Sequence, residues 1–193
     1  MGIDKRVILG SKSPRRRELL KEILPSFTVD AETSFVESKD CGIPPRALPA
    51  AMSEGKSLGF HRPLEPDEIL ITADTVVIID DVILGKPKDR DDAVSMLKAL
   101  SGRTHEVVTS VTVRDVSGTR TYTDTSFVTF KELSDNEIDY YIDTCHPYDK
   151  AGAYGIQEWI GYIGITEIKG SYYTVMGLPV HIVYDALNGK LSL

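Results

Sequence analysis

The sequence predicts an α/β fold, with one mixed, twisted sheet and flanking helices. Helical and strand patterns are interspersed along the chain instead of segregated into blocks. The most hydrophobic run, Ile69 to Ile79, is β-branched and interrupted by a charge only at Asp74, as suits a strand covered on both faces. Asp80-Asp81 then reads as a hairpin turn that returns the chain through Val82 to Leu84, so at least one strand pair is antiparallel. At 193 residues, the chain suits a single domain, and 41% hydrophobic with 26% charged residues allows a core of useful size. Two lobes around one cleft, spanning 1–193, is the expected organisation.

Val7-Ile8-Leu9 is a short apolar run that reads as a buried strand, ended by Gly10 and Ser11. Ser13 is a good helix N-cap, and Pro14 suits the first helical position because the N–H it lacks would have had no helical partner. A helix from Pro14 to about Leu24 follows, and Pro25-Ser26 turns the chain into a short strand at Phe27 to Val29. Residues 30–46 include Glu32, Glu37, Asp40, Gly42 and Pro44-Pro45 and read as a loop whose length suggests function. A helix is expected from Arg46 to Phe60, weakened by Gly55 and carrying Lys56 near its end. Past the central strand and its hairpin, Gly85-Lys86-Pro87 leaves the sheet. Asp89 to Leu100 is a helix with acids in its first turn and Gly102 beyond its end.

Thr104 to Val113 and Thr119 to Phe130 read as two long strands whose Thr, Tyr and Val alternation suggests one exposed face. Ser134-Asp-Asn-Glu137 is a capping box that opens a helix to about Thr144. Residues 145–158 form a glycine-bearing loop. Strands are expected around Gly161 to Ile168 and Tyr172 to Met176, then a last helix from Pro179 to about Asn188, stopped by Gly189.

The net charge of −7 argues against a nucleic acid polymer or an anionic membrane as partner. No apolar run is long enough to span a bilayer and no signal-peptide core is visible, so the cytoplasm is the expected compartment. Cys41 and Cys145 have no metal-type spacing and imply no disulfide framework. The sequence leaves the oligomeric state open, and a homodimer is one state it allows.

Against this acidic background the first helix start stands out. It brings Ser11, Ser13, Arg15, Arg16 and Arg17 to the dipole end that disfavours cations. A phosphate bound there by hydroxyls, backbone N–H groups and guanidinium forks accounts for them. Asp74 is the second anchor. A carboxylate in an apolar strand must find a cation, a metal or hydrogen-bond donors; a structural salt bridge is the plainer alternative to catalysis. Thr72 and Thr75 flank it. Glu37 is a candidate second carboxylate, and two carboxylates with phosphate oxygens are a usual way to hold Mg²⁺ or Mn²⁺; a solvated loop acid is the alternative. Lys86, held between Gly85 and Pro87, and Lys56 are candidate phosphate ligands. Asp149 and Lys150 could pair locally, while Gln157 offers both donor and acceptor, as reading a base edge requires. His105 reads as a hydrogen-bonded sheet residue. Cys145-His146 is no thiol dyad, because neighbours on an extended chain point apart.

Taken together, the chain resembles the Maf family of nucleoside triphosphate pyrophosphatases over nearly its full length. The matching segments are Ser11-x-Ser13-Pro14-Arg15-Arg16, Ala73-Asp74-Thr75, Gly85-Lys86-Pro87, Leu100-Ser-Gly-x-Thr-His105, Asp149-Lys-Ala-Gly-Ala-Tyr-Gly-Ile-Gln157 and Gly170-Ser171-Tyr172 with Gly177-Leu178-Pro179. The resemblance implies an elongated two-lobed fold with a central cleft, similar to inosine triphosphatase. It implies hydrolysis between the α and β phosphates of a nucleoside triphosphate with a divalent cation, Mg²⁺ or Mn²⁺. By motif, Asp74 matches the catalytic acid. Arg15, Thr75 and Gln157 match positions that set base specificity. Arg16, Lys56 and Lys86 match basic positions near the triphosphate, and Glu37 with Asp74 matches the metal-associated acids.

Arginine directly after Ser-Pro, together with Gln157, resembles the branch acting on dTTP and UTP. The other branch prefers 7-methyl-GTP and carries an aromatic residue at the position of Arg15. House-cleaning of the nucleotide pool is the implied role, with a link to cell-division arrest. A nucleotide-binding regulator of cell division with incidental hydrolysis is the rival from another class. The chain departs from the family pattern in Gly10, Lys12, the Ala51-Met-Ser-Glu-Gly-Lys-Ser57 segment, Thr174, and Glu158-Trp159 where glycine is expected after Gln157.

Overall fold

The computed structural model describes residues 5–37 and 42–191. Asp40 and Cys41 lie outside the described residues. The sheet has seven strands in the order β2-β1-β3-β5-β6-β7, with β4 added beside β3. β1 (Arg6–Leu9) pairs in parallel with β2 (Thr28–Val29) and with β3 (Glu68–Ile79), placing Val7 opposite Ile69 and Leu9 opposite Ile71. β4 (Val82–Leu84) runs antiparallel to β3. β5 (Thr104–Asp115) and β6 (Gly118–Phe130) form a hairpin, and β7 (Ile165–Lys169) closes the sheet antiparallel to β6. The mixed α/β architecture is the one the sequence implies. The Asp80-Asp81 turn is also as expected. Both residues have positive φ, 50° and 60°, which suits the twist of a two-residue hairpin and which Asp tolerates.

The chain divides into two compact units. The first comprises Met1–Asp74, Thr109–Asp124 and Gly177–Leu193; the second comprises Thr75–Val108 and Thr125–Met176. Strand β3 passes from one to the other between Asp74 and Thr75. The first unit contains α1 (Pro14–Ile23), α2 (Leu48–Leu58) and α7 (Val180–Leu187). The second contains α3 (Arg90–Leu100), α4 (Asp135–Cys145), α5 (Trp159–Gly164) and α6 (Tyr172–Met176). Its core joins Val77, Leu97, Leu100, Val107, Phe130, Ile138, Ile142 and Ile160. Asp89, expected as the first residue of α3, instead caps it, and the predicted Ser134–Glu137 capping box forms. Asp89 accepts from the Asp92 N–H at 2.9 Å. Ser134 and Glu137 cap each other reciprocally.

Four local expectations are corrected. Ser13 occupies the N-cap position of α1 but makes no side-chain cap bond; its own N–H donates to Ser11 Oγ at 3.3 Å. Residues 161–164 belong to α5, not to a strand. Tyr172–Met176 is helical despite its β-favouring residues. Ser126 Oγ accepts from the Ser171 N–H at 2.9 Å and donates to its carbonyl at 3.0 Å, and that carbonyl also accepts from Thr174 N–H and starts the turn. Finally, β5 shows almost no exposed face. Its hydroxyls are paired: Ser110 with Thr123 at 2.8 Å, Thr112 with Thr121 at 2.9 Å. Ser110 and Thr112 on β5 are thus buried hydrogen-bonded positions, while β6 keeps exposed residues at Arg120, Thr123 and Phe127.

His105 is the sheet residue anticipated. It is buried on β5, hydrogen-bonded through Nε2 to Tyr154 Oη at 2.8 Å and stacked on Phe130. Burial pushes its pKa down from 6.5 to about 4. The unfolded chain therefore binds this proton in a range where the native protein does not. Stability is full above pH 6.5 and is lost as pH falls toward 4, by up to about 3 kcal/mol. Chemical unfolding at several pH values checks this. His105→Gln is expected to flatten that part of the profile; an unchanged slope would assign the acid sensitivity to other groups.

Candidate active site

The sequence-derived residues Ser11, Arg16, Glu37, Lys56 and Asp74 all fall in the first unit, where β1 and β3 run parallel side by side. Ser11 follows the carboxyl end of β1, and Asp74 lies mid-strand on β3, just beyond Ile71, the last residue paired with β1; open α/β sheets bind ligands beyond the carboxyl ends of their parallel strands. Ser11 is buried, while Arg15 is half-buried on the first turn of α1. A cavity of about 340 Å³ opens at this helix start, lined by Ser11, Lys12, Ser13, Pro14, Arg17, Glu18, Lys21 and Val29, on a different side of α1 from Arg16.

Arg16 ties this turn to the central strand. Its Nε donates to the Gly177 carbonyl and its Nη1 to the Ala73 carbonyl, both at 2.8 Å. Nη1 also reaches Ser11 Oγ at 3.4 Å. Burial lowers the Arg16 pKa, and the Asp74 charge opposes that shift. The sequence suggested Arg16 only as a phosphate cation. In the fold two of its donors hold the backbone on either side of the site, including the residue just before Asp74.

Asp74 finds the cation that its burial demands. Lys56 Nζ lies 2.6 Å from Asp74 Oδ1 and 2.8 Å from Glu37 Oε1, so one ammonium bridges the two candidate carboxylates. The Lys56 and Asp74 side chains are only 16% and 18% exposed, against 55% for Glu37. The bridge is therefore sheltered at its Asp74 end and open to water at its Glu37 end.

Helix α2 presents Lys56 through contacts that sequence reasoning did not single out. Ser53 Oγ meets Thr112 Oγ1 at 2.8 Å, and Thr72 Oγ1 donates to the Ser53 carbonyl at 2.7 Å. Two residues on, Gly55 makes room for Phe35: a Cβ at Gly55 would sit 2.3 Å from the Phe35 ring. Thr33 Oγ1 donates to the Lys56 carbonyl at 3.3 Å, and the Ser34 N–H donates to the Gly59 carbonyl at 2.8 Å. The segment carrying Glu37 is thereby laid along α2. Gly55 looked like a helix defect; the signal available in the sequence was the pair Gly55 and Gly59, one helical turn apart and able to admit a backbone.

Thr75, Lys86 and Gln157 belong to the second unit. Thr75 follows Asp74 directly and is half-buried. Lys86 is exposed between β4 and α3, and the adjoining Gly85 carbonyl accepts from the Gly152 N–H at 3.0 Å. Gln157 precedes α5, with its Oε1 buried and without a hydrogen-bond partner. Asp149 and Lys150 pair at 2.7 Å, as their adjacency suggested.

Among the described residues no group of three or more His, Cys, Asp or Glu side chains could hold a metal by itself. The donor set that is present, two carboxylates gathered on one cation, is of hard oxygen type. It suits Mg²⁺ or Mn²⁺ where phosphate oxygens supply further ligands. Among those residues, too, no helix is long and apolar enough to cross a membrane.

Comparison with known proteins adds an independent finding. The profile of the family described as Maf-like protein matches residues 6–190. A dTTP/UTP pyrophosphatase of Porphyromonas gingivalis is 49% identical over 184 residues, covering 94% of this chain and 92% of the relative. Proteins of the same name from Phocaeicola vulgatus and Flavobacterium psychrophilum are 46% and 45% identical. They cover 94% and 93% of this chain, and 94% and 91% of their own lengths.

Proposed function

We propose, since this chain belongs to the Maf-like protein family, that it is a nucleoside triphosphate pyrophosphatase acting on dTTP and UTP, releasing the monophosphate and pyrophosphate. Lys56 bridging Glu37 and Asp74 carries the reading. It supplies a carboxylate paired with a sheltered cation, and Arg16 ties the adjoining Ala73 to the anion-suited helix start. Curated relatives that share nearly the whole chain bear the name of this activity.

In this reading Ser11, Ser13, Arg15, Arg16 and the α1 N–H groups meet phosphate oxygens. Asp74 accepts a proton from the attacking water, whose oxygen bonds to the α phosphorus while the bond to the bridging oxygen breaks and pyrophosphate leaves. Lys56 and Lys86 offset the charge that develops on the leaving group. Arg15, Thr75 and Gln157 read the base; a site built to pair its polar edge rejects bases that leave those groups unpaired. Glu37 and Asp74 are the residues that would hold a divalent cation, and that ion supplies charge neutralisation of the triphosphate. Positioning and electrostatics supply most of the rate.

A panel of nucleoside triphosphates assayed for pyrophosphate release tests this. Turnover of dTTP and UTP, dependent on Mg²⁺ or Mn²⁺ and at least ~10-fold above purine nucleotides, is expected. Preference for 7-methyl-GTP would move the chain to another substrate class. Tight nucleotide binding without turnover would make it a regulator, as the cell-division reading holds.

A further inference from the structure

We propose that Glu158 is a positioning residue. With Lys150 and Tyr141 it clamps the turn that carries Gln157 and so sets base selection; this rests on the function proposed above. The glycine expected after Gln157 is replaced here by a carboxylate, which two side chains of the second unit hold. Glu158 Oε1 accepts from Lys150 Nζ at 2.9 Å, and the Lys150 side chain is 9% exposed. The other carboxylate oxygen accepts from the hydroxyl of Tyr141, a fully buried residue of α4. That hydroxyl in turn accepts from the Gly155 N–H at 3.0 Å.

The backbone closes the same loop. The Glu158 N–H donates to the Gly155 carbonyl at 3.0 Å. Gly155 leaves room for the carboxylate: a Cβ there would stand 2.8 Å from Glu158 Cδ. Burial and the Glu158 hydrogen bond both raise the Tyr141 pKa, so the phenol stays protonated and donating. Gln157 is thus held between two fastened residues, and its Oε1 is buried with no partner. A buried acceptor left unpaired costs stability. A donor on the ligand, such as the ring N–H of uracil or thymine, would satisfy it, provided the turn holds it in place. An amide that rotates freely would lose that selectivity.

Glu158→Ala is expected to raise KM for UTP and dTTP at least ~10-fold with kcat within ~3-fold, and to shrink discrimination against CTP and GTP. Glu158→Gln, which still accepts from Tyr141, is expected to recover part of that loss, and Tyr141→Phe to resemble Glu158→Ala. In the double variant Gln157→Ala/Glu158→Ala the effects are expected not to add, the pair being no worse than Gln157→Ala alone. Additive losses, or a fall in kcat at unchanged KM, would overturn the proposal. A readout without substrate is the side-chain amide NMR signal of Gln157. It is expected to be dispersed in the parent and Glu158→Gln proteins and to collapse to free-glutamine shifts in Glu158→Ala. A signal unmoved in every variant refutes the clamp even if the parent hydrolyses no pyrimidine nucleotide, an outcome that would itself refute the functional reading.

Discussion

Asp74→Asn is expected to fold as the parent does and to lose at least ~100-fold in kcat for pyrophosphate release, the scale of a lost general base. The substitution keeps the shape of the side chain and an oxygen able to accept from Lys56 Nζ, now 2.6 Å away. What disappears is the negative charge and the ability to take a proton from water. Lys56 retains Glu37 as a charged neighbour, so no cation is stranded. The plainer reading of Asp74, a structural salt bridge, predicts the opposite pattern: a clear fall in melting temperature with turnover kept. Paired measurement of kcat and thermal unfolding separates them. Turnover within ~3-fold of the parent would remove Asp74 from the chemistry.

Arg16→Lys is expected to cost about 3 kcal/mol of stability, although the charge is conserved. A hydrogen bond from a charged donor is worth about 1.5–3 kcal/mol, and leaving a buried carbonyl without a partner costs a similar amount. Arg16 serves two carbonyls, those of Ala73 and Gly177, with donors set apart by the rigid guanidinium. A single ammonium on a shorter reach can serve at most one. For a chain of this size the midpoint of thermal unfolding should fall by roughly 6–12 °C. Activity should fall as well, because the Ala73 carbonyl immediately precedes Asp74. A midpoint within 2 °C of the parent would show that the tie contributes little.

Much of the fold was legible because local chemistry and tertiary context agree. The Ile69–Ile79 run is a covered strand, the Asp80-Asp81 pair turns, and the Ser134–Glu137 box caps its helix. Two of the misread elements are ones where a distant side chain decides. Tyr172–Met176 has strand-favouring residues, yet Ser126, far off in sequence, brackets Ser171 and starts a helical turn. The β5 hydroxyls read as a wet face because a paired threonine and a solvated one are identical in sequence.

The site divides along the same line. Sequence alone determined which groups are available: a helix start rich in hydroxyls and arginines, a carboxylate in an apolar strand, and lysines at Lys56 and Lys86. It also determined that Asp74 must have a partner, since an unpaired buried charge is too costly to keep. Only the tertiary structure decided that the partner is Lys56, that the same ammonium reaches Glu37, and that Arg16 spends two donors on backbone. Those choices depend on where α2 rests against the sheet, through Ser53, Thr72 and Thr112, and on the slot that Gly55 leaves for Phe35. The physical reason is range. Burial and charge act on each residue through its type, which the sequence states. A hydrogen bond acts over about 3 Å between groups far apart in the chain, and only folding brings them within that distance.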